Sequence, residues 1–60
     1  MTIDQIMHAL DSTEYKTLEI TRLSTDEYFA EIFTKNGHLI TGENKKTYKD
    51  SLLSLLEKIK

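Results

Sequence analysis

Hydrophobic positions along this chain change period twice, and those changes divide it into helix, sheet and helix. Ile3, Ile6, Met7 and Leu10 recur at i, i+3, i+4 and i+7, which draws one apolar stripe along about two and a half helical turns. Thr2 precedes the stripe as N-cap and Gln5 follows three residues later, the reciprocal pairing of a capping box. Asp4 in the first turn suits the positive helix end, and Asp11-Ser12-Thr13 should end the helix. So short a helix does not persist alone in water, so it must pack on something.

From Tyr15 the period becomes two. Leu18 and Ile20 alternate with Thr17, Glu19 and Thr21, the mark of a half-buried strand. Leu23 breaks the alternation, and Ser24-Thr25-Asp26-Glu27 supplies turn chemistry. A second strand runs from about Tyr28 to Thr34 and a third from about His38 to Thr41. Between them Asn36-Gly37 tolerates the positive φ angles of a tight reversal. Gly42-Glu43-Asn44 leads out of the sheet. In the last helix Tyr48, Leu52, Leu55, Leu56 and Ile59 share one face. Thr47 with Asp50, or alternatively Asn44, caps it, and Lys58 and Lys60 complement its negative end. These signals predict an α+β domain over residues 1–60, a three-stranded antiparallel β-meander with an N-terminal and a C-terminal amphipathic helix (α-β-β-β-α) in two layers. Both helices should cover one sheet face, with the last helix supplying most of the core.

A sheet covered on one side should carry apolar residues on one parity only. The second strand does not. Tyr28, Ala30 and Ile32 point one way, while Phe29 and Phe33 point the other with Glu31 between them. A two-residue reversal would place Phe33 beside Ile40. A three-residue Lys35-Asn36-Gly37 loop with a glycine bulge would place Phe33 beside Leu39 and Ile32 beside Ile40. Either register leaves large apolar groups on both faces. Helices on opposite faces, or strand twist, would hide the second set; otherwise it forms a contact patch rimmed by charge. A strand edge offers a second mode of contact.

Sixty residues form one small domain that buries only about 60% of its unfolded surface. There is no cysteine, and His8 and His38 are isolated, so neither disulfide nor structural metal supports the fold. No cofactor and no small-molecule substrate are indicated. The start lacks the basic flank of a signal peptide, and Leu52-Leu53-Ser54-Leu55-Leu56 is far shorter than the roughly 20 residues of a membrane span. A soluble, cytoplasmic protein is the expectation. Net charge is −2, but residues 1–34 carry seven acids against two bases while residues 35–60 carry six lysines against three acids. That polarity either steers a partner or joins two solvated faces of one domain.

No triad, phosphate-cradling glycine motif or paired catalytic acid is evident, and an enzyme is not expected. Lys45-Lys46-Thr47-Tyr48-Lys49 at the start of the last helix is the strongest chemistry-like cluster, since lysines beside helix N-terminal amides can hold phosphate. Here the chain resembles double-stranded RNA-binding domains, which share the element order and place a similar lysine run at this helix start. That resemblance implies Lys45, Lys46 and Lys49 as phosphate contacts, although the chain has no proline for the family's Gly-Pro loop. A second resemblance, carried by Met1-Thr2-Ile3-Asp4-Gln5-Ile6 and by Asn36-Gly37 followed by Glu43-Asn44, is to small phage-encoded anti-CRISPR inhibitors. It implies occlusion of a nucleic-acid channel by Glu14, Glu19, Asp26, Glu27 and Glu31, in the cytoplasm of a host. The preferred reading is a non-catalytic protein-binding or inhibitor module of phage or mobile-element type. It would act through a sheet face or edge, on a protein partner or by self-association, with Phe29, Phe33, Glu19 and Glu31 as contact residues. Nucleic-acid binding through the three lysines is the alternative.

Overall fold

Local capping starts the fold as its residues require. A computed structural model describes residues 1–59; Lys60, expected at the negative end of the last helix, lies outside the described residues. In α1 (Ile3–Asp11) the Thr2 hydroxyl accepts from the Gln5 amide at 3.1 Å, and the Gln5 side chain accepts from the Thr2 amide at 2.8 Å. Two orphan N–H groups are thereby satisfied. The Ser12 and Thr13 hydroxyls donate to the carbonyls of Ala9 and Leu10 and close the other end. Glu14 then turns the chain with φ +54°, a left-handed conformation that costs a side chain with a Cβ. Its carboxylate meets Lys35 at 2.9 Å, both ends 71% exposed.

The sheet runs β1 (Thr17–Ser24), β2 (Glu27–Phe33) and β3 (Leu39–Thr41), antiparallel in the order β1-β2-β3. β1 thus begins two residues after Tyr15 and continues through Leu23, which is the extra residue of a bulge between Arg22 and Ser24. The broken alternation has that physical cause. Tyr15 itself links α1 to the sheet: its hydroxyl donates to Asp11 Oδ1 at 3.2 Å. Burial, and then the neighbouring Asp11 carboxylate, raise the phenol above its ordinary 10.0. In the second hairpin Thr34 donates to the His38 carbonyl at 2.8 Å and Gly37 to Thr34 at 3.0 Å, with Gly37 at φ +88°. That is the three-residue loop, so Phe33 pairs with Leu39 and Ile32 with Ile40.

Both helices lie on one face. Ile6 and Leu10 of α1, Ala30 and Ile32 of β2, and Leu52, Leu55 and Leu56 of α2 (Tyr48–Ile59) form one buried cluster. α2 gives three of those seven apolar residues, the largest share but short of the majority expected. Tyr48 and Ile3, each assigned to a core stripe by periodicity, are 45% and 41% exposed. Angle is not the cause: the 3.6-residue period aligns Tyr48 with Leu52 and Leu55. Each sits in the first turn of its helix, before the first buried residue, so the core covers it only in part.

α2 approaches the sheet through small residues. Thr47 caps it, accepting from Asp50 at 3.1 Å. Ser51 and Ser54 are buried. The Ser51 hydroxyl donates to the Tyr48 carbonyl, and Ser54 Oγ accepts from the Glu43 amide at 2.8 Å, which satisfies both hydroxyls. After β3 the chain stays close to β2: Gly42 donates to Ala30, and Lys45 exchanges two backbone hydrogen bonds with Tyr28. A Cβ on Gly42 would lie 2.9 Å from the Leu55 nitrogen and 3.1 Å from its Cα. Since the obstruction is helix backbone, it cannot yield cheaply.

Gly42→Ala should therefore destabilise the domain by about 1–3 kcal/mol, the range for overpacking, read as a lower urea midpoint at unchanged slope. Glu14→Gly should act oppositely and raise stability by about 0.5–1 kcal/mol by relieving the left-handed residue. The exposed pair with Lys35 offsets little of that gain.

Candidate partner-binding face

Strand parity sorts the side chains of β2 onto two sides. Ala30 and Ile32 are buried under the helices, so Phe29, Glu31 and Phe33 point to the opposite face. The register builds three rows there. Thr21 stands opposite Phe29; Glu19 opposite Glu31, with Thr41 beyond; Thr17 opposite Phe33, with Leu39 beyond. None of the open-face residues belongs to the core cluster. Phe33 is 38% and Leu39 58% exposed, and Phe29 is half-buried.

The structure thus brings all four expected contact residues together. Glu19 and Glu31 sit directly opposite each other on neighbouring strands, between the two phenylalanines. Like charges so placed destabilise a sheet by a few tenths to about 1 kcal/mol. The ion pairs among the described residues are Lys35–Glu14, Lys45–Glu43 and Lys58–Glu43, and none involves this acid pair. Leu39, left on either face by the open choice of hairpin register, joins Phe33. The signal that could have placed it is Lys35 before Asn36-Gly37, read as the first residue of a three-residue loop.

The lysine cluster is divided. Lys45 is held by its backbone bridge to Tyr28, and its Nζ lies 3.7 Å from Glu43. Lys46 and Lys49 are exposed at the start of α2 beside the exposed Tyr48. Behind them, a groove of ≈ 400 Å³ is lined by Glu43, Asp50 and Glu57 together with Lys45 and Lys58. Glu43 pairs with both lysines, so its charges largely cancel. His8 and His38 are both exposed. Among the described residues no three His, Asp or Glu stand together as metal ligands, and no helix is long and apolar enough to cross a membrane.

Comparison with family models, with curated proteins and with solved structures finds no match for this chain.

Exposure separates the two sides of β2 energetically. Phe33→Ser should cost about 1–2 kcal/mol, because the residue is 38% exposed and only the covered part of its transfer from water is lost. Ile32→Ala, one residue away on the covered face, should cost about 2–5 kcal/mol through a core cavity. Equilibrium urea unfolding of both variants measures the difference, and equal losses would place Phe33 in the core.

Proposed function

We propose that this chain is a non-catalytic protein-contact module whose working surface is the uncovered face of its sheet. The observation that carries the reading is the row Thr17–Phe33–Leu39, with Phe33 and Leu39 adjacent and exposed. Beside it lies an acid pair lacking a cation among the described ion pairs. A small domain leaves scattered apolar side chains in water as a matter of course. Adjacent ones on one sheet face, with polar neighbours, have the anatomy of an interface. The edges of β1 and β3 adjoin the same surface, so a partner strand could extend the sheet while covering it.

An inhibitor of the phage type, acting in a host cytoplasm, would use the same face. Of the acids that resemblance implies, Glu19 and Glu31 lie on it, whereas Glu14 is paired with Lys35 and Asp26 sits in the β1–β2 turn. Nucleic-acid binding remains the second reading, favoured by the exposure of Lys46, Lys49 and Tyr48. It would draw chiefly on Lys46 and Lys49, since Lys45 is engaged with Glu43. Titration with duplex RNA and DNA at low salt, where phosphate contacts are strongest, tests it.

Selection of a random peptide library against the folded protein tests the main reading. Enriched peptides should lose binding to the Phe33→Ser and Leu39→Ser variants and keep it to Lys46→Glu and Lys49→Glu. Peptides indifferent to the sheet substitutions, or no enrichment at all, would count against the open face.

A further inference from the structure

Resting on that reading of the open face, we propose that its occupant is a segment of another protein that sets an arginine, flanked by apolar side chains, over the Glu19–Glu31 pair. Strand spacing and rise give the three-stranded face an area on the order of 300 Å², below the roughly 800 Å² that each partner of a stable complex usually buries, so any occupant needs more than area. A second copy of this chain fits poorly, because a twofold axis through the middle of the face would stack the central acid row of one copy on that of the other. Four carboxylates would then meet as the interface dried, each losing hydration without gaining a counter-charge.

So small a face needs a strong, directional contact at its centre. The register supplies one half of it. Glu19 and Glu31 are opposite each other, and Glu31 has Phe29 and Phe33 two residues away on either side along the same face of β2. Two carboxylates on directly paired residues offer several acceptor oxygens close together, which suits the fork of N–H donors on a guanidinium. An ammonium would fit less well, being a compact and strongly hydrated charge. The flanking rings add a stacking surface for the planar cation, and Leu39 and Thr17 offer apolar contact to the residues beside it. Binding would also remove the repulsion that the empty face carries, so the same pair that weakens the free protein favours the complex.

The experiment follows amide shifts of the isotope-labelled full chain during titration with a short synthetic peptide in which arginine alternates with valine and threonine. Two counterparts carry glutamine or glutamate in place of arginine. The arginine peptide should shift the amides of Glu19, Phe29, Glu31, Phe33 and Leu39 and bind at least about tenfold tighter than the glutamine peptide. The glutamate peptide should not bind. Glu19→Gln and Glu31→Gln, nearly isosteric and relieved of repulsion, should keep a dispersed native spectrum and lose that tenfold preference. Equal binding of the arginine and glutamine peptides to this face would overturn the arginine proposal while leaving the open-face reading intact. Arginine-peptide shifts confined to Glu43, Asp50 and Glu57 would overturn it as well, as would unchanged preference in the two Gln variants. The library selection reports on the face independently of any cation: binders that need Phe33 and Leu39 but carry no arginine separate the two ideas.

Discussion

The close seating of α2 on β2 and on the chain after β3 is the contact on which everything else depends. Leu52, Leu55 and Leu56 meet Ala30 and Ile32 in a single cluster, and each large buried side chain contributes about 1.5–3 kcal/mol. That approach is set by what is missing as much as by what is present. Gly42 has no Cβ where the Leu55 backbone passes, and Ser54 lends its hydroxyl to the Glu43 amide. With no cysteine in the chain, this one layer of helix carries the stability of the domain. Two short helices have apolar surface for one side of a three-stranded sheet, so the other side is left to water.

What stands on that second side is not what stability alone would choose. A solvent face optimised for folding would alternate threonine with opposite charges across the strands. Here two glutamates oppose each other in the middle row, and a phenylalanine and a leucine stand adjacent in the next. Each departs from a rule that most of this chain obeys: the helix N-caps are made and the buried hydroxyls are hydrogen-bonded, Glu14 at φ +54° being a further exception. Departures grouped in adjacent rows of one sheet face are where function is expected to compete with folding. The physical cost is small for each pair, yet it is appreciable against the marginal stability of a domain of this length.

Much of this could be read from the residues before the structure. The capping box at Thr2 and Gln5, the hairpin at Asn36-Gly37 and the element order follow from local chemistry, where a side chain and its own backbone decide; Thr47 is one of two caps, with Asn44, that the same chemistry allows. Placement of Phe29, Glu31 and Phe33 on one face also follows, because parity along a strand is strict; Glu19 joins them through the β1–β2 register. What local chemistry could not supply is anything set by the end of an element or by close approach. Tyr48 and Ile3 match their stripes in angle but overhang the core. Ser51 and Ser54 stand among the leucines of the last helix and are buried, Ser54 where it accepts from the Glu43 amide. Leu39 depended on the count of loop residues, and Lys45 on a backbone bridge to Tyr28 that no side-chain pattern announces.

The two faces can differ so sharply only if the register cannot slip, because a shift of one residue would send Ile32 into solvent and Phe33 into the core. Three features hold it. The Leu23 bulge ends the β1–β2 ladder in a fixed phase just before its turn. Gly37 at φ +88° commits the second hairpin to its three-residue loop, since most other residues would resist that angle. Gly42 then locks the far end of β3 against Leu55. None of the three is a side chain of the open-face rows. Side chains on that face can therefore vary in shape and charge while the covered face keeps the fold, which is the physical condition for one small sheet to carry stability on one side and recognition on the other.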